Sequence, residues 1–250
     1  MGTGPLPLSL RPVRHAAVLF SEAARDALFP AQSREAWAEL LYPAAGAFGA
    51  LVRARQPAGL VMDWQLEQDP AQVSQKWGAL IAPPAGAPLL PRTEAALAAF
   101  EAAGGVLVRQ NHSSGWGTAT SRPALAAALL GDLERRAGPA PIRVSGAADS
   151  QLHVVAHRAQ SGPANATVVY LSNDFVWCNG EGPTVGQLPL PPPAESLVLT
   201  LTLPTTTAVR QATDVLGKVP LRFAKSEQEA GAWAVEVPRV EQFLAVLVEH

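Results

Sequence analysis

Apolar and polar positions change rhythm a little past the middle of this chain. In the first part, short, mostly apolar runs alternate with longer stretches in which apolar residues recur at helical spacing. Ala16 to Phe20, Leu60 to Asp63, Trp77 to Ala82 and Val106 to Gln110 are the short runs. Runs of this kind, without alternation, predict strands buried on both faces of a sheet. Trp37 to Val52 and Thr93 to Ala103 predict helices, although Pro43, Gly46 and Gly49 count against the first. Ser21 to Phe29 reads as the loop and turn that leave the first strand. Arg122 to Arg136 predicts a further helix, with Ser121 before it and Pro123 in its first turn. Ile142 to Ser145 supplies a fifth strand. The clearest unit is Leu80 to Val108, where a strand end, a short helix stopped by Gly104 and Gly105, and a new strand follow one another. A crossover helix between two apolar strands implies parallel pairing, so an open α/β sheet is expected.

From about Gly146 the rhythm becomes that of short strands separated by turns. Seven runs carry it: Leu152 to Arg158, Thr167 to Ser172, Ser196 to Leu203, Thr207 to Asp214, Leu221 to Ala224, Ala232 to Val237 and Phe243 to Val248. In the third, Leu197, Leu199, Leu201 and Leu203 make one apolar face, and Trp233, Val235 and Val237 repeat the pattern. This predicts a small β-sandwich. Pro189 to Pro193 reads as a stiff connector within it. The expected organisation is an α/β domain over residues 1–145 and a β-sandwich domain over residues 146–250.

Composition narrows the function classes. The chain has 250 residues, 48% hydrophobic and 16% charged, with a formal net charge of −2. That balance offers no steering field for nucleic acid or an anionic membrane. No apolar run approaches the roughly 18 residues of a membrane helix. Prolines interrupt the first 20 residues where a signal peptide needs an apolar core, so a cytoplasmic location is expected. Cys178 is the single cysteine, which excludes an intramolecular disulfide and a cysteine-rich zinc site. It reads as a half-buried structural thiol. Asn111-His-Ser113 and Asn165-Ala-Thr167 match the glycosylation acceptor pattern and read as polar loop residues. No cofactor or metal is expected.

The candidate chemistry is sparse. His112-Ser113-Ser114 lacks both the elbow that presents a catalytic serine and the lysine of a phosphate loop. Its position still matters, because ligands in open α/β sheets bind beyond the C-terminal strand ends. Ser21, Pro84, Asn111, His112 and Ser113 therefore outline a candidate crevice. His153 and His157 share a strand face about 13 Å apart, at ~3.3 Å per residue, too far to chelate one ion. Asp63 and Glu67 form a carboxylate pair of the type a glycosidase needs, but their polar surroundings read as a solvated turn. Trp64 and Trp116 are candidate contact residues for a sugar or an interface.

The segment LIAPPAGAPLLPRTEAALAAFEAAGGVLV, preceded by the strand at Val61 and by Trp77-Gly-Ala, resembles the trimerisation domain of family 42 β-galactosidases. The second half is similar to the small β-sandwich that follows it there, where a phrase like Val169-Tyr-Leu-Ser-Asn173 recurs. The resemblance implies a flavodoxin-like, class I glutamine amidotransferase-like parallel sheet followed by an immunoglobulin-like sandwich. It carries over no catalytic residue, since both glutamates of those enzymes lie in a (β/α)₈ barrel, which itself needs ~250 residues. It implies an assembly module that forms a homo-oligomer or docks onto a barrel glycoside hydrolase. Two other functions are open: a stand-alone amidotransferase-like hydrolase using the crevice, and a carbohydrate-binding protein using exposed tryptophans.

Overall fold

The structure, a computed structural model, describes residues 10–13, 15–28, 34–84, 87–110, 116, 121–146, 152–159, 165–173, 192–227 and 229–250. Its first part runs β1 (Leu10–Pro12), β2 (Ala16–Phe20), α1 (Glu22–Leu28), α2 (Arg34–Arg53), β3 (Ala58–Met62), α3 (Asp63–Gln68), α4 (Pro70–Lys76), β4 (Ala79–Ala82), α5 (Pro91–Ala102), β5 (Val106–Arg109) and α6 (Arg122–Ala137). Four of these strands form a parallel sheet in the order β3-β2-β4-β5.

The all-apolar strands are explained by helices on both faces. Ala16 and Val18 of β2 and Ala79 and Ile81 of β4 point to one side, into a core with Ala47 and Leu51 of α2 and Leu129 and Leu133 of α6. Ala17, Leu19, Leu80 and Ala82 point to the other, onto Leu66 of α3, Val73 of α4, and Leu97 and Phe100 of α5. Fully burying a leucine or isoleucine side chain contributes roughly 1.5–3 kcal/mol, and here every strand residue of β4 is buried.

That packing also explains why α2 continues through Pro43. An interior proline costs a helix ~3 kcal/mol, an amount that the burial of Ala44, Ala47, Ala50 and Leu51 outweighs. At the far end of α5, Gly104 has φ +86°, and a Cβ on Gly105 would stand 2.3 Å from the Phe100 ring. The double glycine thus permits both the left-handed turn and the close return of the chain.

Three local expectations are corrected. Residues 22–28 form a helix rather than a loop. The Asp63 to Gln68 stretch is helical rather than a solvated turn, and Asp63 is buried. Ile142 to Ser145 does not extend the parallel sheet. It is β6, and it pairs antiparallel with a later strand, placing Val144 opposite Leu199. The physical reason is visible in its alternation: Ile142 and Val144 are buried while Arg143 and Ser145 are more exposed, which suits a sheet packed on one face only.

The remaining strands are β7 (Leu152–Ala159), β8 (Ala166–Asn173), β9 (Ala194–Thr202), β10 (Gln211–Asp214), β11 (Val219–Pro220), β12 (Phe223–Lys225), β13 (Ala232–Val240) and β14 (Phe243–Glu249). They form two sheets with the orders β1-β7-β8-β14-β10-β11 and β12-β13-β9-β6, every pairing antiparallel. Leu197, Leu199 and Leu201 meet Val154, Leu171 and Val246 in a shared core between them. The architecture is therefore a parallel sheet flanked by helices together with separate antiparallel sheets. The two parts touch where α2 meets β7. Phe48 stands edge-on to His153 at 6.2 Å, and the Arg55 guanidinium donates to the Gly146 carbonyl. No helix among the described residues is long and apolar enough to cross a membrane.

Candidate functional site

The chain leaves β2 toward β3 on one side and reaches β4 and β5 on the other, so the switch point of the parallel sheet lies between β2 and β4. Ligands of open α/β sheets collect beyond the strand ends at such a point. Ser21 follows β2 there, and it is buried. Its Oγ donates to Asp63 Oδ2 at 2.9 Å and accepts from the Ala24 amide at 3.0 Å. The same carboxylate oxygen accepts from the Ala23 amide at 3.0 Å, and Asp63 Oδ1 accepts from the Trp64 amide at 2.8 Å. Ser21 and Asp63 together therefore satisfy orphan amides at the starts of α1 and α3. This is a capping cluster, and each of its polar atoms already has a partner.

The other crevice residues give less. Pro84, two residues beyond β4, is half-buried and has no N–H to donate. Asn111, His112 and Ser113 lie outside the described residues, as does Cys178. Glu67 accepts from Thr93 Oγ1 and pairs with Arg92 at 2.8 Å. Asp63 and Glu67 are thus each bound to neighbours that fix helices. His153 and His157 contact rings, the second edge-on to Tyr170 at 5.9 Å. Among the described residues no three His, Cys, Asp or Glu side chains gather as a metal site.

The two tryptophans separate. Trp116 is only 2% exposed, and a Cβ on Gly46 would stand 2.2 Å from its ring. The expectation that it offers an exposed contact is corrected: it fills the core beneath α2. Trp64 is 50% exposed. It stands at the start of α3, beside a groove of about 360 Å³ lined by β3, α3 and α4. Trp77 forms much of the floor, its ring so close to Gly59 that a Cβ there would come within 2.3 Å. Leu60 and Trp64 provide the apolar rim, with Gln65, Gln68 and Gln72 beside them. Gln65 Oε1 accepts from the Met62 amide at 3.0 Å, and Asp69 Oδ1 caps α4 through the Gln72 amide at 2.9 Å. Lys76 Nζ lies 5.5 Å from the Trp77 ring centroid.

Sequence reading reached Trp64 but not the groove. The available signal was the recurrence of glutamines at 65, 68 and 72 next to an aromatic residue, which becomes informative once both short helices are recognised. A second, wider concavity of about 580 Å³ lies in the sandwich, against Ser196, Val219, Leu221, Arg222 and Glu236.

No known family profile matches the chain, and no curated protein matches it significantly in sequence. Among solved structures, the α-L-fucosidase isoenzyme 2 of Paenibacillus thiaminolyticus superposes with a TM-score of 0.66 at 14% identity, over 97% of this chain and 49% of the fucosidase. The chain thus spans about half the length of that enzyme. A rhamnosidase from Novosphingobium sp. PP1Y gives a TM-score of 0.48 at 12% identity, over 96% of this chain and 23% of that one, a likeness too distant to build on. What the first comparison establishes is a fold: this arrangement of sheets resembles part of a glycosidase structure.

Proposed function

We infer that this protein is a non-catalytic accessory module of a glycoside hydrolase system, whose task is self-association or docking onto a catalytic (β/α)₈ barrel. The observation that carries this reading is the fucosidase superposition, which takes in 97% of this chain yet leaves half of the enzyme unmatched. A chain that pairs both architectural parts with a fraction of a glycosidase suits an assembly role. The capping cluster at Ser21 and Asp63 agrees with it, since the described strand ends hold structural bonds in place of an activated nucleophile. The family 42 β-galactosidase trimerisation domain is the finer assignment we propose, with the sandwich behind it. On this assignment residues 1–145 and 146–250 are the two units, β1 and β6 being lent to the sandwich sheets. The cytoplasm is the proposed location.

The direct test is turnover of p-nitrophenyl β-D-galactoside and p-nitrophenyl α-L-fucoside by the purified chain. No hydrolysis above the uncatalysed rate is expected from the chain alone. Hydrolysis that rises in proportion to protein and disappears in Ser21→Ala or His112→Ala would overturn the reading.

A further inference from the structure

We propose that the groove along β3, α3 and α4 is a binding subsite for one pyranose unit of a neutral oligosaccharide, with the Trp64 indole as its stacking platform. Three observations converge on that ligand class. The first is the half-exposed Trp64 with Leu60, at 49% exposure, on the same rim. An indole left in water at a concave site offers the flat, weakly polar face against which the C–H face of a sugar ring packs. The second is the polar lining. Gln65, Gln68 and Gln72 bring amides that both donate and accept, matching hydroxyl groups that do the same. The Met62 amide bonded to Gln65 Oε1 fixes that side chain beside the groove.

The third is rigidity and size. The platform stands on a helix start pinned by Asp63, and the floor is a tryptophan packed on Gly59. A groove of about 360 Å³ lies in the range of small-ligand sites and accommodates a single ring. The lining suits a sugar, because three exposed amides beside this tryptophan can pair with ring hydroxyls that both donate and accept. Asp69 and Lys76 balance in charge, which favours a neutral ligand over an anionic one. This subsite does not depend on the assembly reading, since it requires neither a barrel nor a second copy of the chain.

The test uses the full chain and three neutral tetrasaccharides built of β-1,4-galactose, β-1,4-glucose and α-1,4-glucose. Tryptophan fluorescence and titration calorimetry read binding. At least one tetrasaccharide is expected to bind and to shift the emission. Trp64→Ala should weaken it about tenfold or more, and Trp64→Phe should restore much of the loss. Gln68→Ala combined with Gln72→Ala should weaken binding several-fold with the emission shift retained. Circular dichroism of each variant reports folding, which these exposed positions should leave unchanged. The proposal is overturned if none of the three binds at millimolar concentration, or if Trp64→Ala binds as the wild type does. It is equally overturned if Trp64→Ala changes only the oligomeric mass, since the groove would then be a protein interface.

Discussion

Ser21 and Asp63 show how one residue pair can resemble chemistry and serve structure. A serine at a strand end, bonded to a buried carboxylate, has the outline of an activated nucleophile. Here the serine hydroxyl accepts the Ala24 amide, and the carboxylate takes amides from the starts of two helices. Ser21→Ala should therefore cost about 1 kcal/mol of stability, the usual value of an N-cap. Asp63→Ala, which strands several buried donors, should cost about 2 kcal/mol or more, both read by urea unfolding. Loss of an activity with unchanged stability would contradict this assignment. His15 supplies a pH response at the same scale. Burial moves its proton affinity below the ordinary 6.5, and the bond to Gln56 opposes that shift. The folded state thus holds fewer protons than the unfolded chain. The contribution is intact above pH 6.5 and is lost as pH falls from there through the lowered folded value. His157 and His250 shift in the same direction, both through burial first. Urea midpoints should therefore decline as pH falls below 6.5, with a shallower slope in His15→Gln.

Among the elements, those with a strong internal period were legible in the sequence. Strands β2 and β4, helices α5 and α6, and the alternating leucines of β9 lie where their patterns predict them. The short helices were not legible. Residues 22–28 are too few to be stable alone, and their start depends on Asp63, far away in sequence. Helix α4, PAQVSQK, buries only Val73 and Ser74 and so shows no apolar stripe. Strand β6 is legible as a strand but its sheet is not, because apolar content specifies burial while the partner strand is set by the fold. If β6 belongs energetically to the sandwich, Leu199→Ala, costing about 3 kcal/mol in a packed core, should speed amide exchange at Val144. Exchange at Leu80 and Ile81 in β4 should stay unchanged. Equal acceleration at both places would mean that the two sheets unfold as one unit.

For the whole molecule, the class of each half is legible in the sequence, whereas the groove beside Trp64 forms only when β3, α3 and α4 come together in the fold. Its rim joins a strand edge to α3, whose sequence reads as a solvated turn, and to α4, whose sequence shows no apolar period, so no single stretch displays it. The same limit applies to Trp116, whose burial depends on a glycine in α2 across the fold. The central claim is assembly through self-association, and its most direct measurement is the mass of the purified chain by light scattering across a range of concentrations. A mass of twice or three times the 26.2 kDa chain is the result predicted. A constant 26.2 kDa at every concentration would contradict it.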